Sequence, residues 1–398
     1  MSPERKRRPK SPVVAERTLP AELLLEIAAR SEPITFVRCA AVCKSLRREI
    51  LHPSFLRRVC TNEDGAGIIP PCILAYLHDR KQDPLVTLVH PVTPAASSFT
   101  DGSLAPYMLR GTIDINRSYE PLLSRGSLVV LRRRNNSINI GGTSKRRCHD
   151  LCVFDPMTGD RTYLSCRPDY SPKYVLLTAA DGIGCSFRLI AANVHRCNQS
   201  GVFRITVQAT IPSGTSWGPI TQDAHGALLF RPLELQRQPV VLHGGIIHWL
   251  LSDSDQVLTY DIRTERLGTV KLPPTNYAGS QRILGTLPDG RRLRLLGVER
   301  FKVSMWVQLS GGWTKEAVID VEHKLGSVDP SMWIEFKHYG ERSGVVLLQA
   351  YRYDQPVHRG SRIVLDLETE ETHKINSSQT SVLFEVDLSA RLHAMKIY

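Results

Sequence analysis

The chain has 398 residues, longer than one hydrophobic core usually grows, so two modules are expected rather than one. Apolar residues make up 42% and charged residues 23%, which excludes a mainly disordered or collagen-like chain. The formal charge of +12 is unevenly spread: residues 1–60 hold thirteen Lys or Arg against six Asp or Glu, and residues 121–149 hold seven against none.

No stretch reaches the roughly 18 apolar residues of a membrane helix, and the best run, Val240–Leu251, is broken by histidines and glycines. The charged start has no apolar segment behind it, so a secretory signal is not expected. Nine scattered cysteines, an odd number, fit a reducing compartment better than a disulfide framework. The expectation is a soluble protein of the nucleus or cytoplasm, without a membrane partner.

Residues 1–17 read as a disordered basic tail. The run Arg5-Lys6-Arg7-Arg8-Pro9-Lys10 repels itself and stays extended, which suits a nuclear-import or nucleic-acid contact as well as a merely solvated end.

Residues 18–60 have a helical period. Thr18-Leu19-Pro20 reads as a start, and Leu23, Leu24, Ile27 and Ala28 share a broad stripe at about 100° per residue. Glu22 and Glu26 fall opposite, near the positive end of the helix dipole. Ser31-Glu32-Pro33 breaks this helix and opens a second, to about Ala41, with Ile34, Phe36, Val37, Ala40 and Ala41 apolar. A third amphipathic stretch carries Val42, Cys43, Leu46 and Ile50 and stops at His52-Pro53. Cys39 and Cys43 are expected on one helix face as small core residues. Three short helices lie near the lower size limit for independent folding, yet the first two are apolar on more than one face. A foreign surface, or the rest of the chain, has to cover Leu23, Leu24, Leu25, Ile27, Phe36 and Val37.

The order Leu19-Pro20-x-Glu22-Leu23-Leu24-x-Glu26-Ile27, Val37-Arg38, Val42-Cys43-Lys44-Ser45-Leu46 and Ile50-x-x-Pro53-Ser54-Phe55-Leu56 resembles an F-box over about forty residues. The chain as a whole resembles plant, grass-type, F-box proteins with a C-terminal β-rich associated domain. The resemblance implies docking onto a Skp-type adaptor and through it a cullin scaffold. It places the interface on Leu19, Pro20, Leu23, Leu24, Ile27, Val37, Val42, Cys43 and Leu46. Many F-boxes have Trp where Leu46 stands, and Leu-Pro where Ser31-Glu32-Pro33 stands.

Residues 61–71 read as a linker, and residues 72–398 as all-β, with short β-branched or aromatic runs bounded by Gly, Pro, Asp and Ser. Examples are Ser127–Leu131, Leu151–Phe154, Tyr174–Leu177, Phe203–Val207, Ile246–Leu251 and Val345–Leu348. One pattern recurs: a large residue, an Asp, then a turn with Thr or Ser. It appears at Phe154-Asp155, Tyr260-Asp261 and Leu365-Asp366, with weaker echoes at Ile319-Asp320 and Val386-Asp387. Such an Asp accepts hydrogen bonds from backbone N–H groups just ahead and closes a hairpin. The three strong copies lie about 105 residues apart, and half that interval matches one propeller blade. A β-propeller of about six blades is therefore favoured over an open sandwich, with Leu392–Tyr398 as the strand that closes the ring. The fold class expected is a small three-helix unit followed by this β domain.

The second basic segment, Arg125 to Arg147, reads as a solvated loop between strands and lacks the aromatics of a single-strand binder. Trp249 and Trp306 lie in apolar runs and should be core, whereas Trp217 and Trp313 lie beside glycines and are candidate target contacts. Nothing points to catalysis, a cofactor or a metal. Cys148-His149-Asp150-x-Cys152 has no second ligand pair, His243-Gly244-Gly245 has no Gly-x-Ser-x-Gly, and Gly182-x-Gly184 has no third glycine. The function expected is a non-catalytic substrate receptor of an SCF-type ubiquitin ligase, holding an unknown target protein on the β domain. The alternatives are a nucleic-acid binder using residues 5–10 and 125–147, or a propeller enzyme acting on a small molecule.

Overall fold

A computed structural model gives the architecture. It describes residues 19–31, 39–40, 43–52, 54–55, 72–78, 86–88, 118–134, 151–156, 159–164, 173–196, 203–211, 216–225, 235, 238–251, 255–274, 281–287, 289–324, 331–352, 361–375 and 381–387. Two helices come first, α1 (Ala21–Ala29) and α2 (Lys44–Ile50). Between them Cys39 and Ala40 are helical, and the rest of the expected second helix, with Val37 and Val42, lies outside the described residues. Cys43 is not a helix-face neighbour of Cys39: it is the extended N-cap of α2, at φ −134° and ψ 114°. Pro20 likewise caps α1 from outside, its carbonyl accepting from the Leu23 and Leu24 N–H groups. No described helix is long and apolar enough to cross a membrane.

The β domain opens with β1 (Cys72–His78) and β2 (Val86–Leu88). Five four-stranded antiparallel sheets follow, each a meander in chain order. The first holds β3 (Tyr119–Arg125), β4 (Leu128–Arg133), β5 (Leu151–Phe154) and β6 (Arg161–Leu164). The second holds β7 (Lys173–Thr178), β8 (Phe187–Arg196), β9 (Phe203–Thr210) and β10 (Trp217–His225). The third holds β11 (Val240–Leu242), β12 (Ile246–Leu250), β13 (Gln256–Asp261) and β14 (Arg266–Lys271). The fourth holds β15 (Arg282–Thr286), β16 (Leu293–Glu299), β17 (Lys302–Leu309) and β18 (Gly312–Asp320). The fifth holds β19 (Met332–Tyr339), β20 (Val345–Arg352), β21 (Ser361–Asp366) and β22 (Thr372–Ile375). The last strand, β23 (Ser381–Asp387), returns to pair with β1 and makes a three-stranded sheet, β2-β1-β23.

The inner strands lie side by side: β23 beside β3, β3 beside β7, β11 beside β15, β15 beside β19 and β19 beside β23. This is a propeller arrangement of five four-stranded blades, with the three-stranded sheet between the fifth and the first. The chain expected to close the ring, Leu392–Tyr398, lies outside the described residues; β23 makes that pairing, in register from Cys72↔Asp387 to His78↔Ser381.

The inner strands of the blades are buried on both faces, which is why they read as continuous apolar runs rather than alternating ones, whereas the outermost β6, β14 and β18 are largely exposed. In β16, Leu293 and Leu295 pack toward the third sheet, and Leu296 and Val298 toward the fifth. Trp249 fills the space between second and third sheets, and Trp306 that between third and fourth.

The expected Asp side-chain turns close blades three and five. Asp261 Oδ1 accepts from the Arg263 N–H at 2.8 Å, and Asp366 Oδ1 from Glu368 at 2.8 Å and Thr369 at 3.0 Å. At the first blade, the Gly159 N–H donates to the Asp155 carbonyl at 2.8 Å. The two weaker echoes are different places: Asp320 ends an outermost strand, and Asp387 ends the inner strand of the three-stranded sheet. The interval of about 105 residues thus spans two blades, as the reading of half the interval as one blade implies.

Arg125 is not part of a solvated loop. It ends β3 and faces the ring centre, its side chain 16% exposed, with Asp181 at 5% and Glu341 at 16%. Its guanidinium forks onto Asp181, with Nη2 to Oδ1 at 2.9 Å, while Nε donates to Glu341 at 2.8 Å. The carbonyls of Leu176 and Val241 accept from the remaining hydrogens at 3.4 and 3.5 Å. One side chain thus ties the first, second, third and fifth sheets. Burial by itself would lower the Arg125 pKa, but Glu341 and Asp181 outweigh it and raise it, so the cation is permanent. Arg125→Met is expected to cost about 3–5 kcal/mol, because two buried carboxylates lose their cation. Replacing Asp181 and Glu341 with Leu in the same chain should recover most of that. Urea unfolding followed by tryptophan fluorescence checks both outcomes.

Candidate functional site

The helical module offers an uncovered apolar ridge. Leu19, Leu23 and Ile27, four residues apart, are 53%, 51% and 54% exposed. Pro20 is also exposed, and Leu24 and Leu25 are half-buried. The opposite side of α1 is inside: Ala28 and Ala29 are buried, as are Ala40, Leu46, Ile50 and Phe55. Small alanines let α1 and α2 approach, and that contact uses up Leu46 and Ile50 as core. The sequence-named residues therefore divide. Leu19, Pro20, Leu23 and Ile27 form one outer face, Leu24 flanks it, Cys43 is half-buried at the α2 cap, and Leu46 faces inward. The ridge is framed by the Glu26–Arg30 ion pair, with Arg30 Nη2 at 2.9 Å from Glu26.

Trp217 and Trp313 occupy equivalent places, at the start of the outermost strands of the second and fourth blades. Each is half-buried and packs against the apolar layer shared with the preceding blade. Trp217 lies 6.4 Å from the Tyr174 ring, and Trp313 Nε1 donates to the Lys271 carbonyl at 2.9 Å. They act as wedges between blades, in the two blades that lack the Asp turn. Trp333, also half-buried, begins the inner strand of the fifth blade.

The ring centre is a polar plug that sequence reasoning did not find. Besides the Arg125 cluster, Gln238 grips the Tyr339 backbone, donating to its carbonyl at 2.6 Å and accepting from its N–H at 2.8 Å. The Tyr339 hydroxyl donates to the Thr286 carbonyl, and burial pushes its pKa up to about 12. Its ring lies so close over Gly285 that a Cβ there would sit 2.5 Å away. Glu385 on β23 accepts from the Ser343 N–H at 3.0 Å and the Arg342 N–H at 3.3 Å, and burial raises its pKa. The Ser127 N–H donates to the Glu385 carbonyl at 3.2 Å. Partners 42 to 259 residues apart leave no local signal; only the Gly126-Ser127 turn after Arg125 marks a strand end there.

Those groups are mutually satisfied rather than aimed at a ligand. Among the described residues no group of three or more His, Cys, Asp or Glu is arranged to hold a metal ion. Cys152 is buried and its thiol pKa is pushed up to about 11 by burial, which makes it inert. Cys148, His149 and Asp150 lie outside the described residues. Gly245 holds a φ of +85° in the turn before β12, where a Cβ would strike Ile262 at 2.5 Å; His243-Gly244-Gly245 is a tight hairpin.

Comparison with known proteins identifies the family. The family described as "Domain of unknown function (DUF7595)" matches residues 93–398, more than half of the chain. The chain belongs to the DUF7595 family. A second description, "F-box-like", matches residues 17–62, so this member carries an F-box-like domain ahead of its propeller. No curated protein matches. Among solved structures, the chain is similar to a protein from Lactobacillus plantarum at 14% identity, covering 77% of this chain and 81% of that one, with a TM-score of 0.39. A luciferin-regenerating enzyme follows at 10% identity, 67% and 78% coverage and a TM-score of 0.38. A protein of unknown function from Bacteroides caccae is 8% identical, with 79% and 98% coverage and a TM-score of 0.38.

Two outcomes are expected here. Leu23→Asp with Ile27→Asp should leave protection of the Lys44–Ile50 amides from hydrogen exchange within about 0.5 kcal/mol, whereas Ile50→Ala should cost about 2–5 kcal/mol. His248 is buried and its pKa is lowered to about 4 by desolvation, against 6.5 when free. The neutral ring is the folded form, so its contribution is full above pH 6.5 and is lost as pH falls toward 4. The difference in unfolding free energy between wild type and His248→Leu should fall across that window, by at most about 1.4 kcal/mol per pH unit. Equilibrium unfolding at stepped pH measures it.

Proposed function

We propose that the protein is the substrate-recognition subunit of an SCF-type (Skp–cullin–F-box) ubiquitin ligase, of the plant type its sequence resembles, working in the nucleus or cytoplasm. The observation that carries this reading is the bare ridge Leu19–Leu23–Ile27 within the F-box-like segment. Three half-exposed aliphatic side chains in register forfeit several kcal/mol in water, at roughly 1.5–3 kcal/mol for each full burial. A Skp-type adaptor is the surface proposed to cover them and to lead to the cullin. The propeller is proposed to hold the target, with the three-stranded sheet as its sixth blade. Ubiquitin transfer is catalysed elsewhere in the assembly, and this chain contributes proximity and orientation.

Co-purification of the full chain with a recombinant Skp-type adaptor tests this. Leu23→Asp with Ile27→Asp should weaken capture at least tenfold. Val318→Asp, on an exposed outermost propeller strand, should leave it unchanged. Equal capture by wild type and the ridge variant defeats the proposal.

A further inference from the structure

We draw no further inference here: the strongest candidate, the outer edge of the three-stranded sheet, where β2 pairs with only Ala75–Leu77 of the seven-residue β1, carries nothing because nothing among the described residues shows what covers it.

Discussion

A single buried cation organises the propeller. A ring of sheets closes only if inner strands from distant parts of the chain meet at fixed angles, and apolar layers between neighbours do not fix the centre by themselves. Arg125, on the first sheet, does so with five donors in a rigid fork, reaching Asp181, Glu341 and two carbonyls on the second, third and fifth sheets. Its value is specificity of closure rather than net energy, since an ion pair taken out of water roughly breaks even against well-packed apolar groups. Glu385 completes the junction by fastening the returning strand β23 to the Arg342–Ser343 turn of the fifth blade.

The blades around that centre alternate in how their outer hairpins are made. Blades three and five use an Asp at the end of the third strand, whose carboxylate satisfies turn N–H groups locally, and in blade one the Asp155 carbonyl accepts from Gly159. Blades two and four use Trp217 and Trp313 at the start of the fourth strand, which reach back onto the preceding blade. One device closes a hairpin and the other joins neighbours.

The helical module follows the opposite economy. Only α1 and α2 are available to cover one another among its described parts, and their contact consumes Ala28, Ala29, Leu46 and Ile50. An outer row of leucine and isoleucine is left over, a surface that water disfavours. The chain thus joins a helical module with an exposed apolar ridge to a ring whose centre is filled by polar contacts.

Much of this was legible in the amino-acid order. The helical period of Leu23 and Ile27, the continuous apolar runs of the inner strands, and the Asp turns at a two-blade interval are local patterns, and local hydrogen bonding and burial enforce them; Ala28, read onto the same stripe, is instead buried on the inner side of the first helix. The same patterns located Trp249 and Trp306 in the core. What the order could not decide was anything depending on partners far along the chain. Arg125 looked like one more residue of a solvated basic run, because Asp181 and Glu341 lie 56 and 216 positions away. Leu46 and Cys43 looked like companions of the outer ridge until the packing of α1 on α2 turned one inward and made the other a cap.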